Sequence, residues 1–525
     1  MTFPYLGVLT LAPLVNAAVV ALIPRSRPLL AKSIALGGSV AVFVLTVVML
    51  TQFKTGGARL QFRESYTWIP AWGAKFTLAT DGIALVMLGL VALLVPLVIL
   101  ASWHDADPAQ LDGPAAGPAR VGRRSVPAYF ALLLALEFTM IGVFAAADVF
   151  LFYVFFEIML VPMYFLIGSY GGARRQYAAV KFFLYSLVGG LFMLAAVIGL
   201  WVVGRDQLGH ATFDWSQLTK VNMATGTERW LFLGFFLAFA IKAPFFPFHT
   251  WLPDAGGAAP AGAAALLVGV LDKVGTFGIL RYCLPLFPNA SKYFAPLGLA
   301  LALVGVIYGA LLAIGQNDLK RLVSYTSVAH FGFIGIGIFA FTTQAGTGSV
   351  LYMLNHGLAT GLLFLVVGML VSRRGSALVS DFGGAGKLVP ALAGVFFVAG
   401  LASLALPGTG PFVSEFLVLI GTFSVNKTVA VIATFGIILA AAYVLWMVQR
   451  TIQGALNPAL EKVDRMRRDI TVREVIVVAP LIALILALGF YPKPVINVIN
   501  PAVKATLVDI GKQDPAPTVA QGGGK

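Results

Sequence analysis

Nine ionisable side chains sit inside long apolar runs: Glu137, Glu157, Lys242, His249, Asp272, Lys273, His330, His356 and Glu415. A charge at the centre of a bilayer costs at least about 2.5–3.5 kcal/mol on insertion scales. Each such group therefore needs a partner, a water-filled gap or a changed protonation state. Carboxylates, amines and imidazoles set in a row have one chemistry in common, the taking and giving of protons.

Glu157 lies in DVFLFYVFFEIMLVPMYFLIG, five residues before Pro162. A proline there kinks the helix and frees backbone carbonyls. The acid is either a functional carboxylate paired with a lysine or part of a structural ion pair. Lys242 lies in LAFAIKAPFFPFHTWLPD, where Pro244 and Pro247 remove two backbone donors. The helix is expected to unwind there, and unwound backbone at membrane depth occurs where it is buried in protein or lines water. At about 4 Å and an effective dielectric of about 20, a lysine–carboxylate pair interacts by about 4 kcal/mol. Moving Glu157 away would then favour discharge of the amine, which is the switch a proton pump needs. The alternative is a snorkelling lysine, which its position several turns inside the run opposes.

Of the remaining groups, His249 and Glu415 keep two readings. His249 follows the prolines and is either a relay or a structural hydrogen-bonder. Lys273, in GVLDKVGTFGIL, is a central relay. Its neighbour Asp272 is turned about 100° away on an α-helix, so the two need not be partners, and Asp272 is free to face another helix or subunit. His330 and His356 titrate nearest neutral pH and can pass a proton through both ring nitrogens. Glu415, in LPGTGPFVSEFLVLIG, is either a proton station or a cap on the resumed helix. Glu137, one run before Glu157, is a second carboxylate in a lateral chain.

The elements that must hold these residues follow from composition. The chain has 525 residues, of which 59% are hydrophobic and 11% charged. Soluble domains carry about 25% charged residues. Runs of about 20 apolar residues recur throughout, the length that crosses hydrocarbon. About fourteen spans are expected, so the fold is all-α and polytopic. Two spans, at 230–251 and 389–421, carry internal prolines and read as broken helices, a pattern that marks transporter sites near the midplane.

The net charge of +14 is spread over short loops and forms no stripe, so a nucleic-acid surface is excluded. Lys and Arg concentrate in the loops after odd-numbered spans, as at Arg174 and Arg175, Lys320 and Arg321, and Arg373 and Arg374. By the positive-inside rule both termini lie outside. The loop at 53–80 alternates apolar and polar residues and predicts an external β-hairpin. The tail at 511–525 is polar and Gly/Pro-rich and is expected to be disordered. One cysteine, Cys283, is too few for an iron–sulphur cluster or an internal disulfide. No HExxH, CxxC, Walker or GxGxxG motif is present. Cofactor and metal sites are therefore expected to be absent from this chain.

The stretches DVFLFYVFFEIMLVPMYFLIG, KAPFFPFHTWLPDA, NDLKRLVSYTSVAHFGF, MLNHGL and PGTGPFVSEFL closely resemble the antiporter-like subunits of respiratory complex I, the NADH:quinone oxidoreductase. The likeness runs roughly from Asp81 to Gly421. It implies fourteen helices with two inverted five-helix repeats, each containing a broken helix. The implied division is 1–126 for the first three helices, 127–285 and 286–450 for the repeats, 451–510 for the last helix and 511–525 for the tail. It also implies a proton path from Glu157 and Lys242 through Lys273, His330 and His356 to Glu415.

A lysine usually matches Glu415 in the L and N types and in sodium/proton antiporter relatives. The glutamate resembles the M, or mitochondrial chain-4, type. The implied partners are the other membrane-arm subunits, of the L and N types. NADH, FMN, iron–sulphur clusters and quinone would belong to partner subunits, and the implied location is a bacterial inner membrane. The alternatives are a subunit of a multi-subunit Na+/H+ antiporter and a membrane scaffold in which the charges only pack. Two departures stand out: GGAAP replaces the usual histidine- and glutamate-bearing loop, and Asp272 replaces an apolar residue.

Overall fold

The computed structural model of the chain describes residues 3–107 and 125–515. Arg120, Arg123 and Arg124 and the tail beyond residue 515 lie outside the described residues. Among the described residues, twelve helices are long and apolar enough to cross a membrane. Counting a bent helix pair as one span gives up to thirteen, close to the expected number of about fourteen, and two helical segments are interrupted. Both interruptions fall at the prolines that the sequence singles out.

The first interrupted helix runs Thr225–Lys242, breaks through Pro244 and Pro247, and resumes at Leu252–Ala258. The freed backbone groups find partners. Phe245 N–H donates to the Ala240 carbonyl at 2.9 Å, and Trp251 Nε1 donates to the Ile241 carbonyl at 2.9 Å. The second runs Pro390–Ser403, breaks at Ala405–Thr409, and resumes at Gly410–Phe423. Here Asn355 Nδ2 donates to the Gly410 carbonyl at 2.9 Å.

The expected hairpin forms, with Gln61–Ile69 antiparallel to Ala74–Thr80. Its Glu64 carboxylate accepts the backbone N–H groups of Leu6 and Gly7 at 2.9 and 3.0 Å. These are orphan donors at the start of the first helix, where a negative charge is favourable. The hairpin and the N-terminus are thereby tied together.

The span Val472–Phe490 is followed, across Tyr491 and Pro492, by a second helix, Lys493–Asp509. It buries Ile499, Ala502, Val503, Thr506 and Leu507, a spacing of three and four residues that makes one apolar face. That face lies against Gly82–Ala101 and Thr343–Arg374. Asp514 continues the attachment by accepting the Thr343 N–H at 2.6 Å.

The central span, Ala261–Leu286, is wholly buried. It widens twice into π-helical turns, at Leu267–Leu271 and Ile279–Cys283. Such turns are rare and gather at functional sites. Gly275 lets this span touch the first break: a Cβ there would lie 2.5 Å from both the Ala243 nitrogen and the Phe239 carbonyl oxygen. Both atoms are backbone, so neither can swing aside. Gly275→Ala should cost about 1–3 kcal/mol by overpacking, visible as a lower thermal midpoint of the purified protein in detergent. An unchanged midpoint would contradict this packing.

Candidate functional site

Lys242 closes the first half of its broken helix and is fully buried. Its ammonium has no hydrogen-bond partner among the described residues. It lies instead over the faces of Phe156 and Phe182, at 5.2 and 5.5 Å from their ring centres. Such cation–π contacts contribute about 0.5–2 kcal/mol. Glu157 sits on the neighbouring span Val149–Tyr170 and is half-buried. Its carboxylate occupies a notch in the span Arg175–Leu208 that exists because residue 190 is glycine; a Cβ there would collide with Oε1. Glu157 and Lys242 feel each other's charge, but no ion pair joins them. The switch pair drawn from the sequence is held apart in this conformation, each member in its own seat.

Asp272 and Lys273 overturn the expectation that neighbours on a helix need not meet. Lys273 Nζ donates to Asp272 Oδ1 at 3.1 Å and to the Val268 carbonyl, and it lies 2.6 Å from His356 Nδ1. Both side chains are fully buried. The physical reason is the π-helical turn that ends at Asp272, whose N–H reaches back five residues to the Leu267 carbonyl. The wider turn changes the angle between successive side chains, and the long lysine arm curls back along the helix. Asp272 thus faces its own neighbour rather than solely another helix.

Beyond Lys273 the order of the histidines is the reverse of chain order. His356 contacts Lys273, and the His330 ring lies 5.2 Å from that of His356. His330 Nε2 is 3.3 Å from the Tyr443 hydroxyl. Its ring lies 5.8 Å from Tyr352, whose hydroxyl donates to Glu415 Oε1 at 2.5 Å. Glu415 is the sixth residue of Gly410–Phe423, past the first turn, and no acid occupies that turn. The cap reading of Glu415 is therefore not met.

Tyr352 and Tyr443 were not legible as members of this row. Tyr352 carried a usable signal, since it precedes His356 by four residues and so shares its helix face. Tyr443 is one buried aromatic among many and carried none. Tyr352→Phe removes a hydroxyl bound to a carboxylate, an interaction worth about 1.5–3 kcal/mol. We expect proton uptake by membrane vesicles to fall roughly tenfold, with the fold intact. Unaltered uptake would take Tyr352 out of the row.

Two expected members lie apart from it. His249 sits within the first break, against the rings of Phe246 and Tyr308. Glu137, on Val126–Ala145, is fully buried, and neither of its carboxylate oxygens has a partner among the described residues. No hydrogen bond or ion pair links it to Glu157. Among the described residues no group of three His, Cys, Asp or Glu could hold a metal ion.

The family model described as "NADH:quinone oxidoreductase/Mrp antiporter, TM" matches residues 146–440. The NADH-quinone oxidoreductase subunit M of Mycobacterium tuberculosis strain H37Rv is 50% identical, covering 98% of this chain and 96% of the relative. The NADH-ubiquinone oxidoreductase chain 4 of Arabidopsis thaliana is 38% identical, covering 96% of this chain and 97% of its own length. Among solved structures, a chain of respiratory complex I from Thermus thermophilus superposes with a TM-score of 0.84 at 30% identity, covering 97% of this chain and all of that one. A chain of the Mrp complex from Dietzia sp. superposes with a TM-score of 0.78 at 20% identity, a likeness of fold alone.

Proposed function

The chain belongs to the NADH:quinone oxidoreductase/Mrp antiporter family of membrane proteins, and on that footing we propose how it works as the proton-translocating membrane-arm subunit of an NADH:quinone oxidoreductase. The reading is carried by one observation: buried titratable groups continue from the first broken helix to the second. Lys242 ends the first half of one interrupted helix, and Glu415 lies in the second turn of the helix that resumes after the other interruption. Between them stand Lys273 and His356 in direct contact, then His330, then Tyr352 bonded to Glu415.

In this account Glu157 and Lys242 are the first switch. Redox energy released in partner subunits brings Glu157 toward or away from Lys242. Because Lys242 has no hydrogen bond among the described residues, its charge depends on that carboxylate, on Asp272 and on aromatic faces. Withdrawal of Glu157 favours release of a proton toward Lys273. His356 accepts at Nδ1, passes a proton from its free Nε2 toward His330, and Glu415 is the terminal station. Glu137 and His249 serve the edges of the path, as a lateral carboxylate and a group at the first break.

The two repeats, 127–285 and 286–450, each supply one broken helix to this row. NADH, FMN, iron–sulphur clusters and quinone belong to partner subunits, and the neighbours in the membrane arm are of the L and N types. The membrane is a bacterial plasma membrane, with both termini external and the basic loops cytoplasmic.

Gentle isolation of tagged chain from native membranes tests the assignment. NADH:quinone reductase activity and bound iron should co-purify. Recovery without redox centres but with antiporter subunits, together with sodium-dependent proton exchange in vesicles, would overturn it.

A further inference from the structure

Asp272 is an acid that the row above does not use. It is fully buried, on the wholly buried span Ala261–Leu286. One oxygen, Oδ1, binds Lys273, while Oδ2 has no partner among the described residues. Lys242 likewise has a buried ammonium with no hydrogen bond. The span that carries Asp272 is pressed against the first break through Gly275, three residues further on. That contact includes the backbone nitrogen of Ala243, the residue next to Lys242. An unpaired buried carboxylate oxygen is costly, and this one is an open proton acceptor beside Lys273.

We propose that Asp272 is the proton-transfer residue that connects Lys242, at the first broken helix, to Lys273, where the row toward the second broken helix begins. The inference rests on the proton-translocating reading given above. The step balances as follows. Lys242 ammonium gives one proton to Oδ2 of the Asp272 carboxylate, leaving a neutral amine and a neutral acid. Lys273, now without its counter-charge, gives one proton to Nδ1 of His356. Asp272 then returns its proton to the Lys273 amine, and the Asp272–Lys273 ion pair is restored. One proton has left Lys242, one has reached His356, and no charge is stranded between them. The π-helical turn before Asp272 serves this exchange by putting acid and amine on one side of the helix.

The test uses the assembled complex in proteoliposomes with NADH and quinone. Asp272→Asn keeps size and hydrogen bonding but cannot carry the proton; proton uptake should fall at least tenfold, and Asp272→Glu should restore most of it. Infrared difference spectra of the native protein should show, during turnover, a carbonyl stretch of a protonated carboxyl that is missing in Asp272→Leu, a variant that remains informative should Asp272→Asn fail to assemble. Native-level uptake in Asp272→Asn, or identical spectra for the native protein and Asp272→Leu, overturns the relay. If Lys242→Ala and Lys273→Met have lost uptake in the same assay, the proton-translocating reading survives that result; if they too pump normally, that reading fails with it.

Discussion

Lys242→Ala should abolish NADH-driven proton uptake, a fall of at least about a hundredfold, on the scale by which positioned acid–base groups act. Coupled quinone reduction should fall with it, while NADH oxidation by a hydrophilic acceptor persists. The fold should weaken by no more than about 2–5 kcal/mol, the cost of emptying a buried side chain, so loss of uptake in an assembled protein is what makes the result diagnostic. Lys242 makes no hydrogen bond among the described residues and no ion pair. Removing it breaks no bonded network and relieves the burial of a charge, at the loss of two cation–π contacts. A lysine kept for packing or anchoring would give the opposite pattern, a weaker fold with transport intact. Uptake in membrane vesicles and the thermal midpoint of the same preparation separate the two.

Lys273→Met is expected to fail on both counts. It removes the amine that contacts His356 and leaves Asp272 buried without its counter-charge. Breaking one side of a buried pair costs about 3–5 kcal/mol, whereas replacing both members by apolar groups is often neutral or stabilising. The double variant Asp272→Leu/Lys273→Met should therefore recover most of the stability lost in the single variant and recover no proton uptake. Thermal unfolding of both variants checks the first half of this statement. A double variant as unstable as the single one would mean that the pair does not interact as the geometry requires.

What the sequence made legible was the set of charges, because lipid is a severe filter. A Glu, Lys or His in a run of twenty apolar residues stands out without any knowledge of its neighbours. Pro244, Pro247 and Pro407 announced the two breaks for a similarly local reason, the loss of backbone donors. The hairpin was visible in its period-two alternation. What stayed hidden depends on how helices are rotated and turned against one another. The contact of Lys273 with Asp272 follows from a π-helical turn, which no residue pattern here signals. The order His356 before His330 follows from the way two long helices cross, not from their place in the chain. Glu157 and Lys242 sit apart because Gly190 opens a notch on a third helix. The amphipathic helix Lys493–Asp509 escaped the search for twenty-residue runs because only one of its faces is apolar.

The resemblance to complex I subunits supplied fold and function in one step, and the chain-wide identity to subunit M and chain 4 relatives bears it out. It could not supply the role of Asp272, where this chain departs from the usual pattern. Departures of that kind must be argued from the molecule itself.

The most direct test of the central claim is the number of protons taken up per NADH oxidised by proteoliposomes that contain the Asp272→Leu/Lys273→Met complex. That variant cuts the row at its centre while keeping the packing. The account predicts that the ratio falls below the native value, or that proton uptake and quinone reduction stop together. A native ratio at a native rate would contradict it, because protons would then be crossing without the row.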